Sequence, residues 1–549
     1  MSSAPSAPAA LLGRQIRHEL AALLRTPITL ILSVGFPLVF FVLIAALTGN
    51  QEIEGAGGLR VAQFVAPGFA AFGVVMATFS FLAYGFAEAR STGVLKRLAG
   101  TPLPRWALLG GRIGAALLLG LIATALVVGA GVVLFDVEVQ TRSLLAVLVS
   151  IVLGAAVFSA LGLALATLLP TPQTTLAVSN GIVVVLSFFS GIFSFGGTTP
   201  EFMERIGSLF PLKHLVVLLA DAFNPFLTGS GFQADHLGAL AAWGVVGVIG
   251  AAWGLRRSAD GVTASRTRTR PAPAHDALPR RAARPTTAEL VLGEVGHTQR
   301  VLRRDASSTF FAVVFPVLLA LVIPVVSGGG DQLMDNGAPL GVWFAATMAI
   351  YGAAVTAYVN MPESLAEARG RGVLKRVRGT PLPLWALLAG RVVGALVVAL
   401  VTMVLVIGVA SVVFGTGVPP GWLAGTGVLL LSTLCFAALG LAVVSVVRSG
   451  ESVVGVTLGT LLPLCFISDV FVQGATFPPW LDTLSWIFPL RHATNAMTAA
   501  VVGGAVPVHH LLVILVWTVV AAAVIALRFE RPEAPAGGVR RAERVAQPA

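Results

Sequence analysis

Charge is the first thing that this sequence lacks. Asp, Glu, Lys and Arg together make up 11% of its 549 residues, whereas a soluble domain carries roughly 25%. Hydrophobic residues make up 56%, and the mean hydropathy is +0.89. An ordinary water-soluble protein is therefore excluded, and lipid is the expected solvent. The period-two alternation that builds membrane barrels is also missing, so we expect the apolar runs to be helices.

Cysteine and lysine are equally scarce. The two cysteines, Cys435 and Cys465, both fall in apolar runs and imply no disulfide framework. The three lysines are Lys96, Lys213 and Lys375, and none of them is followed by Ser or Thr. The G-x-x-x-x-G-K-[ST] loop that cradles nucleotide phosphates is thus absent. We predict that the chain is not an enzyme and has no ATP site of that kind.

Sequence motifs for metal binding are missing as well. Neither CxxC nor HExxH occurs in the chain. His509 and His510 are adjacent, and adjacent residues on a helix point apart. We therefore expect no metal site and no cofactor in this chain.

Long apolar runs are what the sequence has instead. A helix needs roughly 20 apolar residues to cross the hydrocarbon of a membrane, and we find two sets of six such runs. They lie near residues 28–47, 64–85, 107–135, 144–169, 174–195 and 237–255, and near residues 310–326, 340–360, 386–414, 423–447, 452–473 and 509–528. The prediction is an all-α polytopic membrane protein made of two tandem six-helix transmembrane halves.

The two sets are copies of one unit. AEARSTGVLKRLAGTPLPRWALLGGR occupies residues 87–112, and AEARGRGVLKRVRGTPLPLWALLAGR occupies residues 366–391, an offset of 279 residues. Further on, FPLKH at 210–214 matches FPLRH at 488–492 with an offset of 278. A period this long indicates a duplicated domain. Because each unit has an even number of spans, the halves are parallel repeats about an axis along the membrane normal.

The distribution of charge predicts the topology. The repeated loop is rich in Arg and Lys, whereas the connection after the first run of each set carries Glu52 and Glu54 or Asp331 and Asp335. By the positive-inside rule, the basic loops and both termini are cytoplasmic. The net charge of +11 follows from these loops, so we expect no nucleic-acid partner.

The same pattern divides the chain into four parts. Residues 1–258 form the first transmembrane half, with an amphipathic helix over 11–26 that lies in the membrane interface. Residues 259–285 are an Arg- and Pro-rich cytoplasmic linker suited to anionic lipid heads. Residues 286–530 form the second half, opened by Thr286 and Glu289 at the spacing of a capping box. Residues 531–549 are a cytoplasmic tail.

The repeated loop has the composition of a docking element. A Glu-Ala-Arg end, a flexible Gly and a short basic helix precede a Thr-Pro-Leu-Pro turn, which proline makes rigid. The prolines of the two turns are Pro102, Pro104, Pro381 and Pro383. The alternative is that the bases only set the topology. That would explain the charge but not the retained Glu88 and Glu367 or the retained prolines.

These loops resemble those of type-2 ABC transporter permeases, in the fused twelve-span form of actinobacterial tetronasin-type exporters. The resemblance implies two copies of a separate ABC ATPase subunit, which binds the ATP and Mg, and a location in the bacterial cytoplasmic membrane. It implies coupling helices that carry Glu88, Arg90, Lys96, Arg97, Glu367, Arg369, Lys375 and Arg376. It also implies an extracellular motif at Pro211, His214, Pro489 and His492.

The resemblance further implies a substrate route between the halves, lined by the second and fifth spans. Phe79, Phe81, Phe188 and Phe189 lie there and suit a hydrophobic or amphipathic cargo, although packing or lipid contact explains them as well. Asp469 is the one acid inside a run; its first-half counterpart is Gly191, and it belongs either to the exit path or to the outer interface.

The predicted function is ATP-driven efflux of drugs or antibiotics. Three alternatives remain at this point: a proton-driven twelve-span secondary transporter, an ABC exporter of lipid or polysaccharide precursors, and a membrane scaffold that transports nothing. A proton-driven carrier usually holds acids in mid-span, and this sequence has few.

Overall fold

The computed structural model describes residues 8–528 except residues 26, 54–57, 193–200, 265–285, 328, 335–336, 378, 381, 448 and 472–476. Most of the predicted linker, the whole predicted tail from residue 531 and Pro381 therefore lie outside the described residues. Within the described ranges the chain is helical, with only two isolated bridges of extended backbone. The predicted all-α fold is confirmed.

Among its described residues, the first half has ten helices when a helix interrupted by a π-helical turn is counted once. They are α1 (Pro8–Leu24), α2 (Pro27–Leu30, the π turn Ile31–Gly35 and Phe36–Leu47), α3 (Val61–Ser91), α4 (Val94–Ala99), α5 (Arg105–Phe135), α6 (Thr141–Leu168), α7 (Pro172–Phe189), α8 (Glu201–Gly207), α9 (Pro211–Phe223) and α10 (Ala234–Ala264). Helix α10 continues six residues beyond the predicted boundary at residue 258.

The second half repeats the same ten helices in the same order. They are α11 (Thr287–Arg304), α12 (Ala306–Thr309, the π turn Phe310–Val314 and Phe315–Val326), α13 (Leu340–Gly370), α14 (Val373–Val377), α15 (Leu384–Val413), α16 (Trp422–Val446), α17 (Gly450–Ile467), α18 (Pro479–Ser485), α19 (Pro489–Val501) and α20 (Val508–Arg528).

Ten of these helices are long and apolar enough to cross a membrane. They are α3, α5, α6, α7, α10, α12, α13, α15, α16 and α20. The two other predicted runs contain the shorter apolar helices Ser33–Leu47 and Ser452–Ile467, within α2 and α17. The protein is thus a multi-pass membrane protein built from two equivalent halves.

The second span of each half lies at the centre of its bundle. In the most apolar 18-residue stretch of each helix, the share of buried residues is 100% for α3 and 94% for α13. For the last spans, α10 and α20, it is 22% and 17%. Small residues allow this close packing: a Cβ on Gly120 of α5 would lie 3.2 Å from the Cα of Val74 on α3. Lipid gives the helices no hydrophobic driving force to associate, so close packing of their backbones stabilises the bundle.

Helix α1 lies against the start of α5 and is not only a surface helix. A Cβ on Gly114 would lie 2.7 Å from Cδ1 of Ile16, and one on Gly111 would collide with Gln15. In the second half a Cβ on Gly394 would lie 2.8 Å from Cγ2 of Thr298. The predicted capping box of α11 is present, since Thr286 and Glu289 each accept from the other's backbone N–H.

In the part of the chain that the structure describes, each half has two π-helical turns, at equivalent positions. Those of the first half are Ile31–Gly35 and Met76–Phe81, and those of the second are Phe310–Val314 and Val355–Asn360. The offset of 279 residues between them is that of the repeated loop. Single π-helical turns of this kind inside α-helices are rare and occur frequently at functional sites.

A pair of helices between the fifth and last spans was not expected from the sequence. Helices α8 and α9 meet at an angle of 104°, because Phe210 is extended and Pro211 starts a new helix. Leu212, Leu215 and Leu219 of α9 are fully buried. The motif at Pro211 and His214 therefore begins a helix that packs into the bundle.

Candidate functional site: the paired basic loops and the contact between the halves

Each basic loop is a short helix held at a fixed angle to two spans. Gly93, at φ 72°, and Gly372, at φ 69°, separate the short helices α4 and α14 from the second spans. That left-handed conformation is accessible to glycine at little cost. The predicted coupling side chains on the short helices, Lys96, Arg97, Lys375 and Arg376, are all exposed, as are Glu88 and Glu367.

Arg90 and Arg369 have a different position from the other bases. The guanidinium of Arg90 donates to the carbonyl of Leu169, at 2.5 Å, where α6 ends. Arg369 donates to the carbonyls of Val444, at 2.7 Å, and Val447, at 3.3 Å, where α16 ends. Both side chains are half-buried. They complete the carboxyl end of the fourth span and fix the loop to it.

The proline turns join the short helices to the third spans. Pro104 and Pro383 precede α5 and α15 in extended conformation, at ψ 143° and 147°. Pro102 lies in the exposed turn. Trp106 and Trp385 follow and are 50% and 53% exposed, as expected of tryptophan at a membrane interface.

An arginine near the start of each third span pairs with an acid on the interfacial helix. Nε of Arg112 lies 3.4 Å from Glu19, and Nε of Arg391 lies 3.9 Å from Glu294. The two acids are not at equivalent positions, because the counterpart of Glu19 is Thr298 and that of Glu294 is Gln15. The acid thus lies one helical turn apart in the two halves and contacts the equivalent arginine in each.

The face opposite the basic loops carries a repeated histidine pair. Nδ1 of His214 lies 2.8 Å from Nδ1 of His236, and Nδ1 of His492 lies 2.8 Å from Nδ1 of His510. The other ring nitrogens, Nε2 of His214 and of His492, contact the carbonyls of Ser208 and Trp486.

In each half an indole N–H of the last span forms a hydrogen bond next to this histidine pair. Trp243 donates to the carbonyl of Leu209, and Trp517 donates to that of Ile487, at 3.1 and 2.9 Å. The last span is thus tied to the helix pair before it. Sequence reasoning missed these partners because the offset shifts to 274 residues for the last spans.

Asp469 lies in this region and belongs to a charge cluster of the second half. It follows α17 at φ 55°, where its counterpart Gly191 has φ 81°. Its Oδ2 lies 3.5 Å from Nε of Arg491, and Nη1 of Arg491 lies 2.6 Å from Asp482. Arg491 is buried, at 8% exposure. Asp469 therefore has an ion-pair partner inside the protein.

The halves meet through their first and fifth spans, and each half completes the core of the other. Phe188, from α7, packs in the core of the second half, and Phe189 packs against that core. Its counterpart Phe466, from α17, packs in the core of the first half and lies 3.9 Å from Phe40 between ring centres. The ring of Phe471 continues this cluster, with its centre 6.3 Å from that of Phe40 in the first half and 5.3 Å from that of Tyr351 in the second.

Backbone contacts across the junction follow the same two-fold relation. A Cβ on Gly181 of α7 would lie 3.0 Å from the ring of Phe310 on α12, and one on the equivalent Gly459 would lie 3.9 Å from Ile31 on α2. The predicted route residues Phe79 and Phe81 lie elsewhere, in the first half's own core, where Phe79 contacts Phe158.

A family model described as ABC-2 type transporter matches residues 10–224 and, a second time, residues 297–502. The chain belongs to the ABC-2 type transporter family. The two matched regions fall one in each half and end before its last span, so the sequence-based resemblance is confirmed. Members of this family are transport permease subunits, and family membership implies an ABC ATPase partner.

Three relatives of this ABC-2 permease cover parts of its length. The inner membrane transport permease YadH of Escherichia coli is 25% identical over 36% of this chain and 72% of its own. The daunorubicin resistance ABC transporter permease protein DrrB1 of Streptomyces coeruleorubidus is 33% identical over 23% of this chain and 45% of its own. The probable multidrug ABC transporter permease YbhR of Escherichia coli is 29% identical over 24% of this chain and 36% of its own.

Proposed function

We propose that this permease exports hydrophobic or amphipathic compounds, including drugs and antibiotics, across the bacterial cytoplasmic membrane. Two copies of a separate ABC ATPase, which bind the ATP and Mg, power it. The observation that carries the proposal is the pair of basic loops. Each loop has one exposed acid at the end of the second span and two exposed bases on the short helix that follows, and it is fixed to three spans. Two equivalent docking elements suit two identical partners.

The fixation of the loops explains how a push is transmitted. Arg90 and Arg369 tie the loops to the fourth spans, and Arg112 and Arg391 tie the third spans to the interfacial helices. Movement of a docked ATPase therefore moves a whole half as a rigid body. The contact between the two halves is apolar and aromatic, which suits an apolar cargo that passes between them. The names of two relatives also point to drug resistance or multidrug transport in those proteins.

Charge reversal in the loops tests the proposal. We expect Glu88→Arg and Glu367→Arg each to weaken ATPase association, because losing one partner of a desolvated charge pair costs roughly 2–5 kcal/mol. The double variant should be worse than either single one. Co-purification of the ATPase, stimulated ATP hydrolysis and drug efflux from vesicles are the measurements.

The matched control is Glu52→Arg, which reverses an exposed acid in the connection after the first span. It should behave like the parent. Normal ATPase coupling in all three loop variants, with normal insertion, would show that the loops only set topology. Retained coupling with transport of lipid precursors but no drugs would keep the ATPase partner and change the cargo.

The proposed orientation places the termini and the basic loops in the cytoplasm. A cysteine at Ser91, exposed in the first loop, should resist an impermeant thiol reagent in intact cells, whereas one at the exposed Ser230 should react. Background labelling is low because Cys435 and Cys465 are fully buried. The reverse pattern would invert the topology.

A further inference from the structure

Three imidazoles converge where the last span of the second half begins. One ring nitrogen from each of His492, His509 and His510 lies within 4.8 Å of the others. His492 comes from α19, and the other two come from the first turn of α20. Adjacent residues of a helix point apart, but the rings of His509 and His510 have centres only 4.0 Å apart. The third imidazole, which is distant in sequence, turns this dipeptide into a cluster.

The surroundings favour neutral imidazoles with free lone pairs. Nε2 of His492 contacts the carbonyl of Trp486 at 2.9 Å, so Nε2 carries the proton and Nδ1 presents its lone pair to His510. This is the outer contact that orients a metal-ligating histidine. The nearby cation, Arg491, is compensated by Asp482 and Asp469, so the region can accept a further positive charge.

We propose that His492, His509 and His510 bind a divalent transition-metal cation such as Zn²⁺. Imidazole nitrogen is a preferred ligand of Zn²⁺, and sites with three protein ligands leave the fourth position to water. When the metal ion binds, the proton that lies between the Nδ1 atoms of His492 and His510 moves to Nε2 of His510, so that both Nδ1 lone pairs face the ion. Zn–N distances of about 2.0–2.1 Å in a tetrahedron require these atoms to part to about 3.3 Å, from the 2.8 Å observed.

The first half is an internal control for this proposal. His214 and His236 form the same pair at the same distance. The counterpart of His509 is Asp235, whose carboxylate lies 3.8 Å from Nε2 of His236, the nitrogen that faces away from His214. Three donor atoms therefore do not converge there. A site in one half only predicts one metal ion per chain.

The experiment uses the full chain, purified in detergent with an affinity tag that contains no histidine and stripped with a chelator. Zn²⁺ alone is titrated against a chromophoric competitor. We expect one tight site per chain and a melting temperature that rises with Zn²⁺ concentration. Co²⁺ in place of Zn²⁺ should give the visible absorption of a tetrahedral site.

His509→Asn is the decisive variant, because His509 is exposed and its loss leaves the packing intact. Removing a ligand costs more than removing an outer-shell partner, which typically lowers metal affinity about 10–100-fold. We therefore expect at least a tenfold loss for His509→Asn and for His492→Gln, with none for the matched first-half change His214→Gln.

Two results would overturn the proposal. One is the absence of a stoichiometric site in the parent. The other is equal Zn²⁺ affinity in the parent, His509→Asn and His214→Gln. Neither result bears on export, since the titration needs no ATPase and no cargo.

Discussion

The corner that joins the fifth span to the last one is built twice in this permease, and the two copies differ in charge. The first copy pairs Lys213 with Glu204 at 3.8 Å, and the acid is 61% exposed. The second places Arg491 between Asp482 and Asp469 and buries the guanidinium. The histidine pair and the indole hydrogen bond are the same in both. Duplication has kept the geometry of the corner while one copy became an internal charge network.

Removing the cation of each corner should give the largest difference. Arg491→Leu leaves Asp469 without its ion-pair partner, and breaking a buried pair costs roughly 3–5 kcal/mol. Lys213→Leu breaks a pair that is open to solvent, which is worth at most about 1 kcal/mol. Thermal unfolding of both variants in one detergent measures this. Equal shifts in melting temperature would mean that the two corners are energetically equivalent.

The π turns of the first spans provide a second comparison. In the second half, the hydroxyl of Thr402 donates to the carbonyl of Ala312, at 3.1 Å, inside the π turn. The first-half counterparts are Ala123 and Ser33, so the hydroxyl is missing there. Thr402→Val should lower stability by about 0.6–1 kcal/mol, the size of a hydrogen bond between membrane helices.

The reciprocal change sharpens that test. Ala123→Thr supplies a donor near the carbonyl of Ser33 and should leave the melting temperature unchanged or raise it. A loss as large as that of Thr402→Val would show that the first half has adapted to alanine at this position.

The acids of the interfacial helices, Glu19 and Glu294, should give the smallest effect on stability, and the effect of Glu294 depends on pH. Burial raises the pKa of Glu294 above its ordinary value, against the pull of Arg391 and His297. A carboxyl whose pKa is raised by folding stabilises the protein fully below its unfolded pKa, and that contribution is lost as pH rises through the folded pKa.

Glu294→Gln removes this dependence. The parent should therefore gain stability relative to the variant when the pH is lowered from about 7 towards about 4.5. Thermal unfolding over a pH series measures the difference. A parent that loses stability relative to Glu294→Gln on acidification would contradict the burial of that carboxyl.

Much of the fold could be predicted from local sequence. Apolar runs, the capping box at Thr286 and the glycine hinges at Gly93 and Gly372 depend on neighbouring residues, and the structure has them as expected. The bent helix pair after the fifth span was missed because its residues number too few for a span and their burial depends on helices far away in sequence.

The site was predictable only in part, for the same reason. Exposed loop residues such as Lys96 and Lys375 lie where the sequence indicated. The tie from Arg90 to the carbonyl of Leu169 joins residues 79 positions apart, and the convergence of His492 with His510 spans a loop. Charge and spacing do not reveal such contacts, because they depend on how whole helices pack.

The exchange of Phe188 and Phe466 has a consequence for stoichiometry. Each half supplies a ring that packs in the core of the other half, so the packing of each half depends on the presence of its complement. A single chain delivers the two in a strict one-to-one ratio and at the high effective concentration that a linker provides. Each half is therefore free to diverge while its complement stays within reach. A pair of identical six-span subunits would have no such freedom, since every change in one appears in both.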